Sequence, residues 1–197
     1  MLIITKYCRI ESGICRVDGE TLYAPGNMPV KEFLSGLYRN AGIDYPKFFK
    51  MDVLAKAGFL VAELLLKGVN TGNGQNTGIF LANSSSSLDT DRHYQDTIGE
   101  AYFPSPSVFV YTLPNIVLGE ICIRHKIYGE NTFFVSPEFQ SAFLCEYVRT
   151  VFEEVALEHA LVGWLECCGE KCEVLALWVE RGEEGIEFTK ENIDKLK

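Results

Sequence analysis

The run KFFKMDVLAKAGFLVAELLLKG, residues 47–68, limits the possible folds more than any other stretch. Between positions 52 and 67 its only charged residues are Asp52, Lys56, Glu63 and Lys67. At helical spacing these four fall on one narrow stripe, so the rest of the helix surface is apolar and has to be buried on most sides. Gly68 stands where a helix of this length would stop. The chain must therefore supply a sheet and further helices that surround this one.

The flanking segments provide them. Residues 2–10 and 13–17 read as a strand pair around a Glu-Ser-Gly turn. A short helix is expected from about Val30 to Asn40, closed by Ala41-Gly42. TGIFLAN (77–83) has the pattern of a short buried strand. The polar stretch NSSSSLDTD then enters a short helix near Asp89, with the serines at 84–87 in a solvated loop. A helix over roughly 112–126 carries Pro114 in its first turn, where proline is tolerated. The apolar run 132–135 is a strand, and Ser136-Pro137 opens a helix over 137–157. HALVGWLEC (159–167) and CEVLALWVE (172–180) form a hairpin across Gly169. FTKENIDKLK reads as a short exposed helix or tail. Strands alternating with helices, closed by a hairpin, imply a mixed sheet with helices packed on it.

Composition narrows the function classes. With 197 residues, 47% of them hydrophobic and 23% charged, one compact domain over 1–197 is expected. A net charge of −9 argues against nucleic acid, whose binders carry a basic face. No run reaches the roughly 18 apolar residues of a membrane helix, and the first residues are too polar for a secretory signal. The expected location is the cytoplasm, with no membrane insertion. There the seven cysteines read as buried thiols. Cys167, Cys168 and Cys172 lack a second pair at zinc spacing, so no metal is expected. A Ser-His-Asp hydrolase is excluded for want of a Gly-x-Ser-x-Gly elbow.

One stretch carries a resemblance. Leu113-Pro114-Asn115, then Gly119 to His125 (GEICIRH), then Gly129-Glu130-Asn131, resembles a run in beta-ketoacyl synthases of the thiolase superfamily. Upstream, residues 47–66 resemble the family's first long helix, and GIFLANSSSSLDTD its next strand and loop. Downstream, residues 159–180 look like the last strand of the family's N-terminal half. The resemblance spans about 47–180. It implies half of a thiolase-like α/β fold, with a mixed, mainly five-stranded sheet and helices on both faces.

It also implies two departures. Active ketosynthases carry an acylated cysteine at the helix start after the Gly-x-Asn strand, where the helix's positive end lowers the thiol pKa. In this sequence that position holds Glu138, a residue that a helix N-terminus favours without any catalysis. Cys145 lies two turns further on. The family's catalytic histidines and lysine sit in a C-terminal half that has no counterpart here, and His93, His125 and His159 match none of its motifs. The helix that lies between two sheets in the family, apolar on both faces, is amphipathic here, with Glu146, Arg149, Thr150, Glu153 and Glu154 on one face.

These features point to a non-catalytic subunit akin to a chain length factor in fatty acid or polyketide-type biosynthesis, without a cofactor. Its partner would be a full ketosynthase, or itself in a dimer, joined through Phe133, Phe134 and Val135. Arg124, His125 and Lys126 form a basic spot suited to an acyl carrier protein. The alternatives are a small decarboxylase or acyl-thioester enzyme using Glu138, and a homodimeric module that binds an acyl ligand.

Overall fold

In the computed structural model, which describes residues 1–99 and 103–197, the apolar run folds as helix α2, Val53–Leu66. Asp52 caps it by accepting the Ala55 N–H at 2.8 Å. Eleven of its residues are buried. Its charged stripe is put to use, because Glu63 meets Arg124 at 2.7 Å and the Lys56 ammonium sits 5.7 Å from the centre of the Phe48 ring.

A single sheet runs beneath it. Its strands are β1 (Leu2–Glu11), β2 (Ile14–Val17), β3 (Glu20–Tyr23), β4 (Thr77–Asn83), β5 (Asn131–Val135), β6 (His159–Cys168), β7 (Lys171–Arg181) and β8 (Ile186–Glu187). The order is β3-β2-β1-β7-β6-β4-β5, with β8 added to β1. Strands β5, β4 and β6 are parallel, while β7 is antiparallel to both β6 and β1. The expected mixed sheet is present, but it has eight strands instead of mainly five. β2, β3 and β8 extend it beyond the β1 side, and β3 (ETLY) is too polar and short to announce itself.

The strands alternate between two faces, as period-two side chains must. Ile79, Leu81, Leu161, Leu165, Ala176 and Trp178 face a core shared with α1 (Val30–Asn40), α2 and α5 (Ile116–His125). Phe80, Val162, Leu175, Leu177 and Val179 face a second core under α6 (Ser141–Glu154) and α7 (Lys190–Leu196). β4, flanked by β5 and β6 and buried at every residue, belongs to both. Between β4 and α5 stand α3 (Leu88–Ile98), α4 (Pro106–Phe109) and a 3-10 turn, Val110–Thr112.

Three helix boundaries differ from expectation. Pro114 precedes α5 and does not enter it, because the 3-10 turn ends at Thr112 and Asn115 is the cap. α6 starts at Ser141, not 137, and ends at Glu154. α7 is no free tail, since Phe188 and Ile193 are fully buried in the second core and Thr189 caps the helix. Helix α6 does bury one face, through Leu144, Cys145, Val148, Val151 and Phe152, and leaves Glu146, Arg149, Thr150, Glu153 and Glu154 exposed. Among the described residues no single helix is long and apolar enough to cross a membrane.

All seven cysteines are free thiols, five of them buried. Two pairs touch across hairpins, Cys8 with Cys15 at 3.8 Å and Cys167 with Cys172 at 3.3 Å. The shared hydrogen bond, then burial, pushes the Cys8 and Cys167 thiols well above the usual range. Burial pushes Cys145 up to about 11. Only thiolates alkylate readily. Iodoacetamide on the native protein at neutral pH is therefore expected to modify the partly exposed Cys168 about tenfold or more faster than any buried cysteine. Equal rates at Cys168 and Cys172, read by peptide mass spectrometry, would contradict this packing.

Candidate functional site

Open α/β sheets place their sites at the carboxyl ends of parallel strands. Here those ends belong to β4, β5 and β6. The register sets Asn83 beside Val135 and Ala82 beside Trp164, so the loops leaving the three strands converge.

The loop after β4 is organised by one acid. Glu166 on β6 is 2% exposed and accepts from Ser84 N–H at 2.7 Å, Ser84 Oγ at 2.6 Å and Ser85 N–H at 3.3 Å. Ser85 Oγ also donates to it. The Asn83 side chain closes the turn by accepting the Ser86 N–H at 2.9 Å and donating to the Ser86 carbonyl at 2.8 Å. The serines are thus largely tied down: Ser84 is exposed and Ser85 and Ser86 half-buried, so the polar loop is partly solvated, as expected, but ordered by these bonds. Glu166 went unnoticed in the sequence, yet the signal was there: it is the only acid in an otherwise apolar strand.

Burial alone would raise the Glu166 pKa, but the serine hydrogen bonds outweigh it and hold the carboxyl below the ordinary value of 4.5. A carboxylate depressed on folding stabilises the protein fully above its unfolded value and loses that contribution as pH falls through the folded one. Glu63 behaves alike: burial opposes ionisation, while His125 and Arg124 bring it down to about 2. Acid unfolding should therefore set in below pH 4.5. Glu166→Gln is expected to cost about 2 kcal/mol at neutral pH, from the loss of hydrogen bonds to a charged acceptor. It should also flatten the acid limb of a urea-denaturation series. An unchanged acid limb would contradict the role given to Glu166.

The corner after β5 holds Glu138. The Ser136 N–H continues the strand pairing by donating to the Asn83 carbonyl at 2.9 Å, and Ser136 Oγ donates to the Glu138 carbonyl at 2.9 Å. Ser136 therefore does not cap α6. Pro137 and Glu138 lie in the connection before the helix, both exposed, so Glu138 is not in the helix's first turn. The chain bends at Pro137 and Glu138, and Phe139 then stacks on Trp164, ring centres 5.6 Å apart, before Gln140 caps the helix. Beside the corner lies a hollow of about 200 Å³ lined by Phe134, Phe143 and Leu144 among others. His159 begins β6 at the opposite end of the strand, and His125 lies beside Glu63 at 3.1 Å. Cys145 faces the second core. The corner thus offers a carboxylate and apolar rings, without a reactive thiol or an imidazole among its described residues.

β5 forms one edge of the sheet. Phe133 packs on the first core. Phe134 packs edge-on against Phe143 and Tyr147 of α6, at 5.1 and 5.0 Å. Val135 is 55% exposed. In the basic spot, Arg124 is held by Glu63 through two hydrogen bonds of 2.7 and 3.1 Å and lies over the Tyr45 ring. His125 shares that acid, which leaves Lys126 as the exposed member.

No protein-family profile matches the chain, and no curated protein matches it by sequence. Solved structures do match in fold. The chain is similar to the ishigamide ketosynthase/chain length factor, with a TM-score of 0.66 and 16% identity over 93% of this chain and 63% of that one. It is also similar to the complex of the ketosynthase ApeO with its chain length factor ApeC from Xenorhabdus doucetiae, with a TM-score of 0.61 and 15% identity over 92% and 79%. A third match is AntDE:AntF, a type II PKS acyl-carrier protein in complex with its ketosynthase bound to the hexaketide. Its TM-score is 0.65 and its identity 14%, over 91% and 62%. The fold is that of ketosynthases and chain length factors, and the chain spans somewhat under two thirds of the first of these proteins.

Proposed function

We propose that residues 1–197 form one ketosynthase N-terminal-like domain that works as a non-catalytic, chain length factor-like subunit. It pairs with a full ketosynthase in fatty acid or polyketide-type biosynthesis in the cytoplasm, with an acyl carrier protein visiting the pair. The observation that carries this reading is the make-up of the corner after β5. On a ketosynthase-type fold it presents Glu138, which cannot form a thioester, while the nearest thiol in the following helix, Cys145, is buried and held protonated.

The free edge of β5 supports the pairing. A strand edge with an exposed valine, flanked by half-buried phenylalanines, is an aggregation hazard unless another chain covers it. A stable pairing surface needs on the order of 1,200 Å² in total. Phe143, Ile123 and Tyr128, all exposed, add apolar area to that of the strand. A Glu138-dependent decarboxylase is less well supported, because Glu138 is exposed and does not line the hollow beside it.

The test is co-expression of the tagged chain with a complete ketosynthase from the same genome, followed by native mass spectrometry. A one-to-one complex that survives Glu138→Ala is expected. A free monomer at about 10 μM in the presence of that ketosynthase, well above the Kd of a standard-size interface, would count decisively against the proposal.

A further inference from the structure

A cleft of about 590 Å³ lies between the start of α2 and the arm made of α3 and α4, away from the corner after β5. Its volume falls within the range of small-molecule sites. In a chain of net charge −9 its lining is unexpectedly basic. Lys31 of α1, Lys50 at the end of the 3-10 segment Pro46–Lys50, Lys56 of α2 and His93 of α3 all reach it.

The lysines are not spent elsewhere. Among the described residues, neighbouring Lys47 pairs with Glu120 at 2.7 Å, and Lys171, Lys190 and Lys197 each meet an acid. Lys31, Lys50 and Lys56 have no ion-pair partner within 4 Å among those residues. Lys56 is half-buried against the Phe48 ring, and burial pulls its pKa below the ordinary lysine value.

Two acids share the lining, and each is hydrogen-bonded to the protein. Asp52 gives one oxygen to the Ala55 N–H at 2.8 Å and the other to the Thr90 hydroxyl at 2.6 Å. Asp89 accepts the Gly169 N–H at 3.1 Å. The remaining lining includes Met51, Val108 and Tyr111, which form an apolar wall.

We propose that this cleft binds a small phosphate monoester whose short apolar arm lies on Met51, Val108 and Tyr111 while its phosphate is met by Lys31, Lys50 and Lys56. Separate ammonium groups suit a tetrahedral dianion as point charges, and the two charges of a phosphate gain more from three lysines than the single charge of a carboxylate would. Placing the dianion among three lysines offsets the positive charge that the two engaged aspartates leave uncompensated. Nothing in this inference depends on a ketosynthase partner, so either proposal can fail alone.

Isothermal titration calorimetry on the full chain at constant ionic strength tests it, with butyl phosphate, inorganic phosphate and butyrate as probes. Butyl phosphate is expected to bind saturably and about tenfold more tightly than inorganic phosphate, the gain that burying two methylenes would give. It should also bind more tightly than butyrate. The exposed double variant Lys31→Gln/Lys50→Gln should lose about tenfold or more in affinity, since two near charges are removed. Lys195→Gln, on the far helix α7, should bind as the parent does. Butyl phosphate giving no saturable heat, binding undiminished in the double variant, equal loss in Lys195→Gln, or butyrate binding as well as the phosphate would each overturn the proposal.

Discussion

Replacing Phe59 with alanine is expected to destabilise the protein by about 4 kcal/mol, the usual cost of deleting a fully buried ring. Phe59 is 0% exposed. Its ring stacks on Tyr45 with centres 5.1 Å apart and planes at 16°, and lies 5.9 Å from Phe48. Phe48 in turn stacks on Tyr38 of α1 at 4.4 Å, and the Tyr45 N–H donates to the Tyr38 hydroxyl at 2.7 Å. One ring therefore ties α2 to the segment before it and to α1. The aromatic neighbours are held by these contacts and cannot all collapse into the cavity, so the cost should lie near the upper end. For a chain of this size the melting temperature should fall by about 12 °C, with the urea m-value unchanged. A loss below about 1 kcal/mol would mean that this layer is loosely packed and that the account of the first core is wrong.

The second large effect is expected at Gly129, where alanine should cost about 3 kcal/mol by forced overpacking. A Cβ there would stand 2.3 Å from the Thr77 carbonyl oxygen and 2.7 Å from that of Gln75. Both are backbone atoms and have no rotamer to escape into. The contact exists because the turn before β5 lies directly on the loop before β4, with the Tyr128 N–H donating to the Gly74 carbonyl at 3.0 Å and the Ile79 N–H to the Glu130 carbonyl at 3.0 Å. Gly74, on the other side of the same contact, would place a Cβ 2.0 Å from the Lys126 carbonyl. Gly119 supplies the control. It lies on exposed α5 surface with nothing within 4 Å of a Cβ, so Gly119→Ala should be neutral or stabilise by up to about 1 kcal/mol. Chemical denaturation of the two variants side by side separates the cases. Equal stabilities would contradict the close approach that aligns β4 with β5.

Much of this architecture is legible in the sequence where local signals agree. Asp52, an apolar run with one charged stripe, and Gly68 fix α2 almost to the residue. TGIFLAN gives β4 with its observed ends, and the pair of apolar runs around Gly169 gives the β6–β7 hairpin. What escaped was set by distant partners. Ser136-Pro137 is a strong helix opening, yet Asn83, over fifty residues away, claims the Ser136 N–H, and Trp164 claims Phe139. The final helix looks polar because its buried set is only Phe188 and Ile193, and Ser141 Oγ bonds Asp194 at 2.7 Å to hold it down. Arg124 and His125 read as a free basic spot because Glu63, sixty-one residues from Arg124, leaves no local trace of the pairing. The corner itself was legible in composition, carboxylate and no thiol, but not in conformation.

Amide hydrogen exchange across Asn131–Val135, followed with and without a complete ketosynthase from the same genome at saturating concentration, tests the subunit proposal most directly. An edge strand that pairs with a partner should gain protection, and the amides of β5 are expected to exchange about tenfold or more slowly in the complex. Exchange across β5 that stays the same with the ketosynthase present would contradict a chain length factor-like pairing through this edge.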